Sequence, residues 1–252
     1  MKFVRFRKDA KIQLGILNEN DKIRAIQGDI KTDYELTEEY YDLANVELLT
    51  PCQPSKIICV GLNYLDHAKE LNMELPEEPV IFMKPSTSVI GPEDEINYPQ
   101  MSSQVDYEAE IAVVMKKEAK DLTIEEVEDY ILGYTCFNDV TARDLQTKDG
   151  QWTRAKSFDT FSPLGPVIVN DINPNELKIQ LYQNDSLKQD SNTSQMIFSI
   201  KEIISFISQI MTLNPGDVIA TGTPPGVGEV KLSDKIEVKI EGIGSLVNTI
   251  TK

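Results

Sequence analysis

The chain holds a single histidine, His67, so any imidazole chemistry has to run through that one residue. Cysteine is scarce as well. Cys52, Cys59 and Cys136 are odd in number and form no C-x-x-C pair, which argues against a disulfide framework or a thiolate zinc site and points to a reducing, cytoplasmic setting. Basic residues are outnumbered, 25 Lys and Arg against 41 Asp and Glu, and the resulting charge of −16 has the wrong sign for a nucleic-acid backbone. Long apolar runs are missing: stretches such as residues 111–115 fall far short of the roughly 20 residues that a bilayer demands, so no membrane span is expected. There is no G-x-S-x-G elbow, no Rossmann fingerprint after a strand, and the glycine-rich segment 222–228 lacks the G-K-[S/T] ending of a phosphate loop.

What the chain does have is short alternating segments. Residues 2–7, 12–17 and 22–27 read as an antiparallel meander that opens the protein as a strand, with no apolar h-region of a signal sequence. An acidic passage at 29–47 and the prolines at 51 and 54 follow, and they divide a small N-terminal β module, 1–50, from a main domain, 51–252. Strand patterns recur in the main domain at 56–60, 80–84, 107–115, 132–138, 166–169, 177–183, 217–222, 235–240 and 245–250. Helices are fewer: a Thr123-x-x-Glu126 box ahead of 127–132, and a Ser199-x-x-Glu202 box ahead of a run with Ile200, Ile203, Ile204, Ile207 and Ile210 on one face. The fold class expected is α+β, mostly β, with a few helices.

Three features carry chemistry. Glu108 and Glu110 alternate with apolar residues in a strand pattern and so share a face about 7 Å apart at the backbone, where two ionised carboxylates are unfavourable unless they share a cation. A third acid, Asp139, closes the next strand; three carboxylates without a thiolate make an all-oxygen site suited to Mg²⁺ or Mn²⁺ rather than Zn²⁺. His67 lies in a segment that tolerates helix after Asn63, read as its N-cap, and there Glu70 is at i+3, on the same face and able to orient the imidazole. Each feature alone also fits an ordinary solvated surface.

Together, Cys59-Val60-Gly61-Leu62-Asn63-Tyr64-x-x-His67-Ala68-x-Glu70, Val105-Asp106-Tyr107-Glu108-Ala109-Glu110, Asn138-Asp139-Val140-Thr141-Ala142-Arg143-Asp144, Lys156-Ser157-Phe158-Asp159-Thr160-Phe161 and Gly222-Thr223-Pro224 resemble the fumarylacetoacetate hydrolase family over residues 51–250. The resemblance implies a mixed β-sandwich or β-roll core and a homodimer. It implies metal ligands at Glu108, Glu110 and Asp139, a catalytic lysine at Lys156, and a water-activating pair, His67 and Glu70, on a helix that in relatives acts as a lid. Arg143, Gln146 and Thr223 match positions that contact the substrate's carboxylate or keto oxygens. One departure stands out: Leu62 occupies a position that is basic in some acylpyruvate-cleaving relatives.

The function implied is Mg²⁺- or Mn²⁺-dependent hydrolysis of the C–C bond of a small anionic 2,4-dioxo acid, releasing pyruvate via a metal-bound enolate, with oxaloacetate decarboxylation as a related activity. The same site is compatible with a 2-hydroxyhepta-2,4-diene-1,7-dioate isomerase or decarboxylase and with an oxaloacetate tautomerase. A metal-binding dimer without catalysis is the reading from another class.

Overall fold

The computed structural model describes residues 1–252, apart from the side chain of Leu71. Its framework is a twelve-stranded sheet. The meander Lys2–Lys8, Lys11–Leu17 and Lys22–Gly28 forms one end, and Lys2 pairs with Val169 so that the N-terminal strands continue directly into Ser162–Val169. From there the order runs through Ile131–Asn138, Ala109–Met115, Val218–Ala220 and Lys56–Gly61 to the edge strand Val80–Pro85. A five-stranded sheet comprises Ser186–Asn192, Lys178–Gln183, Lys235–Ile240, Gly244–Thr251 and Glu95–Asn97. Mostly strand, with few helices and several sheets, the architecture is the one expected.

Side-chain period decides how these sheets pack. In Lys235–Ile240 only Ile236, Val238 and Ile240 are buried in full, the pattern of a strand with one face on the core. The central strand Ala109–Met115 is buried on both faces. Its residues Ile111, Val113 and Met115 join the larger hydrophobic cluster, with Ile179, Val238 and Leu246 of the second sheet, whereas Ala112 and Val114 join a second cluster with Cys59 and Phe137. The helix Ile200–Ile210 covers the larger core with Ile200, Ile203, Ile204 and Ile207, each worth about 1.5–3 kcal/mol when buried in full. Ser199 and Glu202 close the expected capping box.

Four local expectations change. The acidic passage contains a nine-residue strand, Tyr34–Asp42, laid against Lys22–Gly28; its side chains are mostly exposed, so backbone pairing rather than apolar burial holds it. Residues 127–130 form a 3-10 turn instead of a helix, because Ile131 already enters a strand. The strand expected over 107–115 is broken at Glu108. Asn63 is not the N-cap of the helix Leu65–Leu71; Tyr64 is, without a side-chain cap bond. No helix is long and apolar enough to cross a membrane, and Cys52, Cys59 and Cys136 are free.

Candidate metal and active site

The break at Glu108 is where the site is built. With the ladder interrupted, two backbone donors turn to side chains: Glu108 N–H donates to Asn138 Oδ1 at 3.0 Å and Ala109 N–H to Gln189 Oε1 at 2.9 Å. Antiparallel pairing of Ala109 with Asn138 then brings Asp139, distant in sequence, beside the two glutamates, and Asp139 N–H donates to the Glu108 carbonyl at 2.9 Å. One oxygen from each of Glu108, Glu110 and Asp139 lies within 4.8 Å of the other two, and all three side chains are buried.

The charges around this triad are unequal. Lys156 Nζ donates to Glu108 Oε2 at 2.9 Å and to Asp139 Oδ2 at 2.6 Å, and Lys84 Nζ donates to Asp139 Oδ1 and, at 3.1 Å, to the Val140 carbonyl. Arg143 spends Nε on Asp106 Oδ2 at 2.8 Å, Nη1 on Gln146 Oε1 and Nη2 on Glu108 Oε1. Burial works against ionisation of Glu108, but the Lys156 and Arg143 charges override it and bring its carboxyl down to about 2. Burial likewise opposes the Lys156 ammonium, and the charges of Asp139 and Glu108 outweigh it and hold the lysine charged.

Glu110 has less of this support, with Lys156 acting on it without an ion pair. It is 1 % exposed, touches no lysine or arginine among the described residues, and receives the Gly222 N–H at 2.8 Å. Burial, followed by repulsion from Asp139 and Glu108, pushes its carboxyl well above the ordinary range. A cluster with one buried carboxylate short of positive charge, and only oxygen donors, fits a hard divalent cation such as Mg²⁺ or Mn²⁺.

The imidazole is held beside this cluster. His67 and Glu70 lie on the helix Leu65–Leu71, and His67 Nδ1 meets Glu70 Oε2 at 2.8 Å. A carboxylate only accepts, so Nδ1 carries the proton in the neutral ring and Nε2 is left as the base. Two contacts fasten the helix: Gly226 N–H donates to Glu70 Oε1 at 3.1 Å, and Ser191 Oγ donates to Asp66 Oδ2 at 2.6 Å.

A cavity of about 350 Å³ unites these groups; Glu108, Glu110, Asp139, Lys156, Arg143, Gln146, Thr223 and His67 all line it, and Glu70 reaches it through His67. Larger clefts of about 890 and 510 Å³ lie elsewhere on the surface, and neither contains the carboxylate triad.

Residues 56–251 match the family described as fumarylacetoacetate (FAA) hydrolase C-terminal. The chain belongs to the fumarylacetoacetate hydrolase family. Residues 1–51 match a second family, Rv2993c-like, N-terminal. The chain is 60% identical over 198 residues to an uncharacterized protein of Methanocaldococcus jannaschii, covering 79% of this chain and 84% of that protein. It is 44% identical over 220 residues to the mitochondrial oxaloacetate tautomerase fahd2 of Xenopus laevis, covering 82% and 69% respectively. The structure superposes on a 2-hydroxyhepta-2,4-diene-1,7-dioate isomerase from Mycobacterium marinum with a TM-score of 0.92 and 40% identity, over 100% of this chain and 98% of that one.

Members of the fumarylacetoacetate hydrolase family are enzymes, hydrolases, isomerases and tautomerases among them, and typically use divalent metals. Within this family frame, several residues around the site escaped the reading of the sequence. Lys84 is the one charged residue of the strand Val80–Pro85 and is buried, Asp106 anchors Arg143, and Gln189 arrives from the second sheet. An inward lysine closing a Val-Ile-Phe-Met run was the one local signal available. Leu62, the departure from some acylpyruvate-cleaving relatives, lines the cavity with Phe82 and Trp152, whose rings meet edge to face at 5.1 Å. Asn63 is fully buried and pins the segment before the helix Leu65–Leu71: its amide donates to the Phe198 and Thr221 carbonyls at 3.1 and 2.8 Å and accepts the Phe198 N–H at 2.8 Å.

Proposed function

We propose that this enzyme moves a proton at the carbon next to the keto group of a small 2-oxo acid, and that keto–enol tautomerisation of oxaloacetate is the reaction it performs. The observation that carries this reading is the His67–Glu70 contact of 2.8 Å beside a buried carboxylate triad in one cavity. A divalent ion on Glu108, Glu110 and Asp139 would supply Lewis acidity toward the carboxylate and keto oxygens of the substrate.

The protein's own groups do the rest. His67 Nε2 takes a proton from C3, the electron pair moves to the C2 oxygen, and return of a proton to that oxygen gives the enol. Glu70, fixed by the Gly226 N–H, keeps the imidazole in one tautomer and stabilises its charged form. The Lys156 ammonium, 2 % exposed and held charged, stabilises the negative charge that develops on the enolate oxygen. Support also comes from the relatives: one is named for tautomerisation of oxaloacetate and another for isomerisation of a 2-hydroxy-dienoate diacid, both proton shifts on 2-oxo or 2-hydroxy acids.

Hydrolysis of an acylpyruvate is the second reading, favoured by the same His67 Nε2, which can equally take a proton from water. An assay of metal-stripped protein with Mg²⁺ or Mn²⁺ restored separates them. Accelerated ketonisation of enol-oxaloacetate without pyruvate release from acetylpyruvate is expected; pyruvate from acetylpyruvate alone would move the assignment to the hydrolase. We propose with it a homodimer, to be read from the mass in solution.

A further inference from the structure

Gln189 is fully buried beside the site, although it comes from the strand Ser186–Asn192 and from none of the motifs quoted above for the resemblance. Its amide fits in one orientation. Oε1 accepts the Ala109 N–H at 2.9 Å, between two ligand glutamates, while Nε2 donates to Thr223 Oγ1 at 2.9 Å and to the Pro224 carbonyl at 2.8 Å. Turning the amide over would set its NH₂ against an N–H and its oxygen against a carbonyl, so the order is fixed.

The consequence lies in Thr223. A hydroxyl has one proton; because Thr223 Oγ1 accepts from Gln189, that proton is not spent on Gln189, and Thr223 lines the cavity. Pro224 and Pro225, which follow, have no N–H to compete for a ligand oxygen. We infer that Gln189 is a positioning residue that makes Thr223 a hydrogen-bond donor to an oxygen of the bound 2-oxo acid and fixes that donor relative to the ligand strand. This rests on the 2-oxo acid reading above. The turn is shaped for it: Gly226 has φ +92°, and a Cβ there would lie 2.3 Å from the carbonyl oxygen of Lys188, the neighbour of Gln189. Turn and strand are thus as close as glycine allows.

The test is a double-mutant cycle on Mn²⁺-loaded protein, with oxalate as a non-reacting mimic of the carboxylate and keto end of the ligand and affinity read by calorimetry. Gln189→Met and Thr223→Val are each expected to weaken oxalate by roughly tenfold, the worth of a hydrogen bond to a charged acceptor, and the double variant to be no weaker than the worse single one. Gln189→Glu serves where the methionine variant fails to fold: its carboxylate draws the Thr223 proton to itself, so oxalate affinity should drop to the Thr223→Val level. Losses that multiply in the double variant, or wild-type oxalate affinity in both Gln189 variants, would overturn the role of Gln189 alone. Failure of the wild-type Mn²⁺ protein to bind oxalate would overturn the 2-oxo acid reading and this inference with it.

Discussion

Lys84 and Lys156 hold the two oxygens of one carboxylate: Lys84 Nζ donates to Asp139 Oδ1 and Lys156 Nζ to Asp139 Oδ2, with all three side chains buried. Lys156 also lines the cavity and touches Glu108, whereas the hydrogen bonds of Lys84 among the described residues go only to Asp139 and the Val140 carbonyl. The two lysines should therefore fail differently. Lys84→Met is expected to destabilise the protein by about 2–3 kcal/mol in urea unfolding, because it leaves a buried carboxylate half-compensated and a carbonyl unpaired. Lys156→Met is expected to remain folded with saturating metal and to lose at least a hundredfold in kcat for oxaloacetate. Near-normal turnover in that variant would remove Lys156 from the chemistry.

Metal affinity should rise with pH. Glu110 is pushed well above the ordinary carboxyl range, which favours its protonated form in the metal-free protein, so that protons compete with the ion for it. The sign for stability follows: a raised carboxyl favours the folded apo protein fully below the ordinary value of 4.5, and that contribution is lost as pH rises through the folded value. The gain in Tm from saturating Mn²⁺ is thus expected to be larger at pH 8 than at pH 6, and the Kd smaller by up to tenfold per unit. A pH-independent Kd would show that Glu110 is already ionised without metal.

His67→Ala is expected to lower kcat by about 10²–10⁴ with Mn²⁺ affinity unchanged, since the imidazole lines the cavity without being one of the three clustered carboxylates. Glu70→Gln should act in the same direction and less severely, because an amide can still meet Nδ1 but no longer balances the charged ring. A parallel loss of metal binding in His67→Ala would place the imidazole in the coordination sphere instead.

Much of this site was legible where the relationship is local. Period two put Glu108 and Glu110 on one face, and spacing i to i+3 put His67 against Glu70, although the strand break at Glu108 was not visible. Asp139 stands out locally as a third acid closing the next strand, but its place beside the two glutamates was not legible in the spacing, because it depends on Ala109 pairing with Asn138 across two strands. Lys84 and Gln189 were missed for the same reason: their partners Asp139 and Ala109 lie 55 and 80 residues away. Asn63 fits a cap locally, but its partners are more remote still, 135 and 158 residues away, and Tyr34–Asp42 is not legible because an exposed strand held by its backbone carries no apolar alternation.

Gly222 joins the turn to the carboxylate cluster, and alanine there should uncouple them. Gly222 has φ +98°, and a Cβ would meet Asn63 Cβ at 2.8 Å, while its N–H is the donor to Glu110. Gly222→Ala is expected to weaken Mn²⁺ by tenfold or more and to lower Tm, both measured on the purified protein. Unchanged Mn²⁺ affinity would mean that Glu110 keeps its place without the backbone donor.

The most direct test is a calorimetric titration of Mn²⁺ into metal-stripped wild-type protein and into Glu110→Gln. One site per chain in the wild type, with affinity lower by a hundredfold or more in Glu110→Gln, is the expected result. Equal affinity in the two proteins, or no binding by the wild type, would contradict a cation held by Glu108, Glu110 and Asp139.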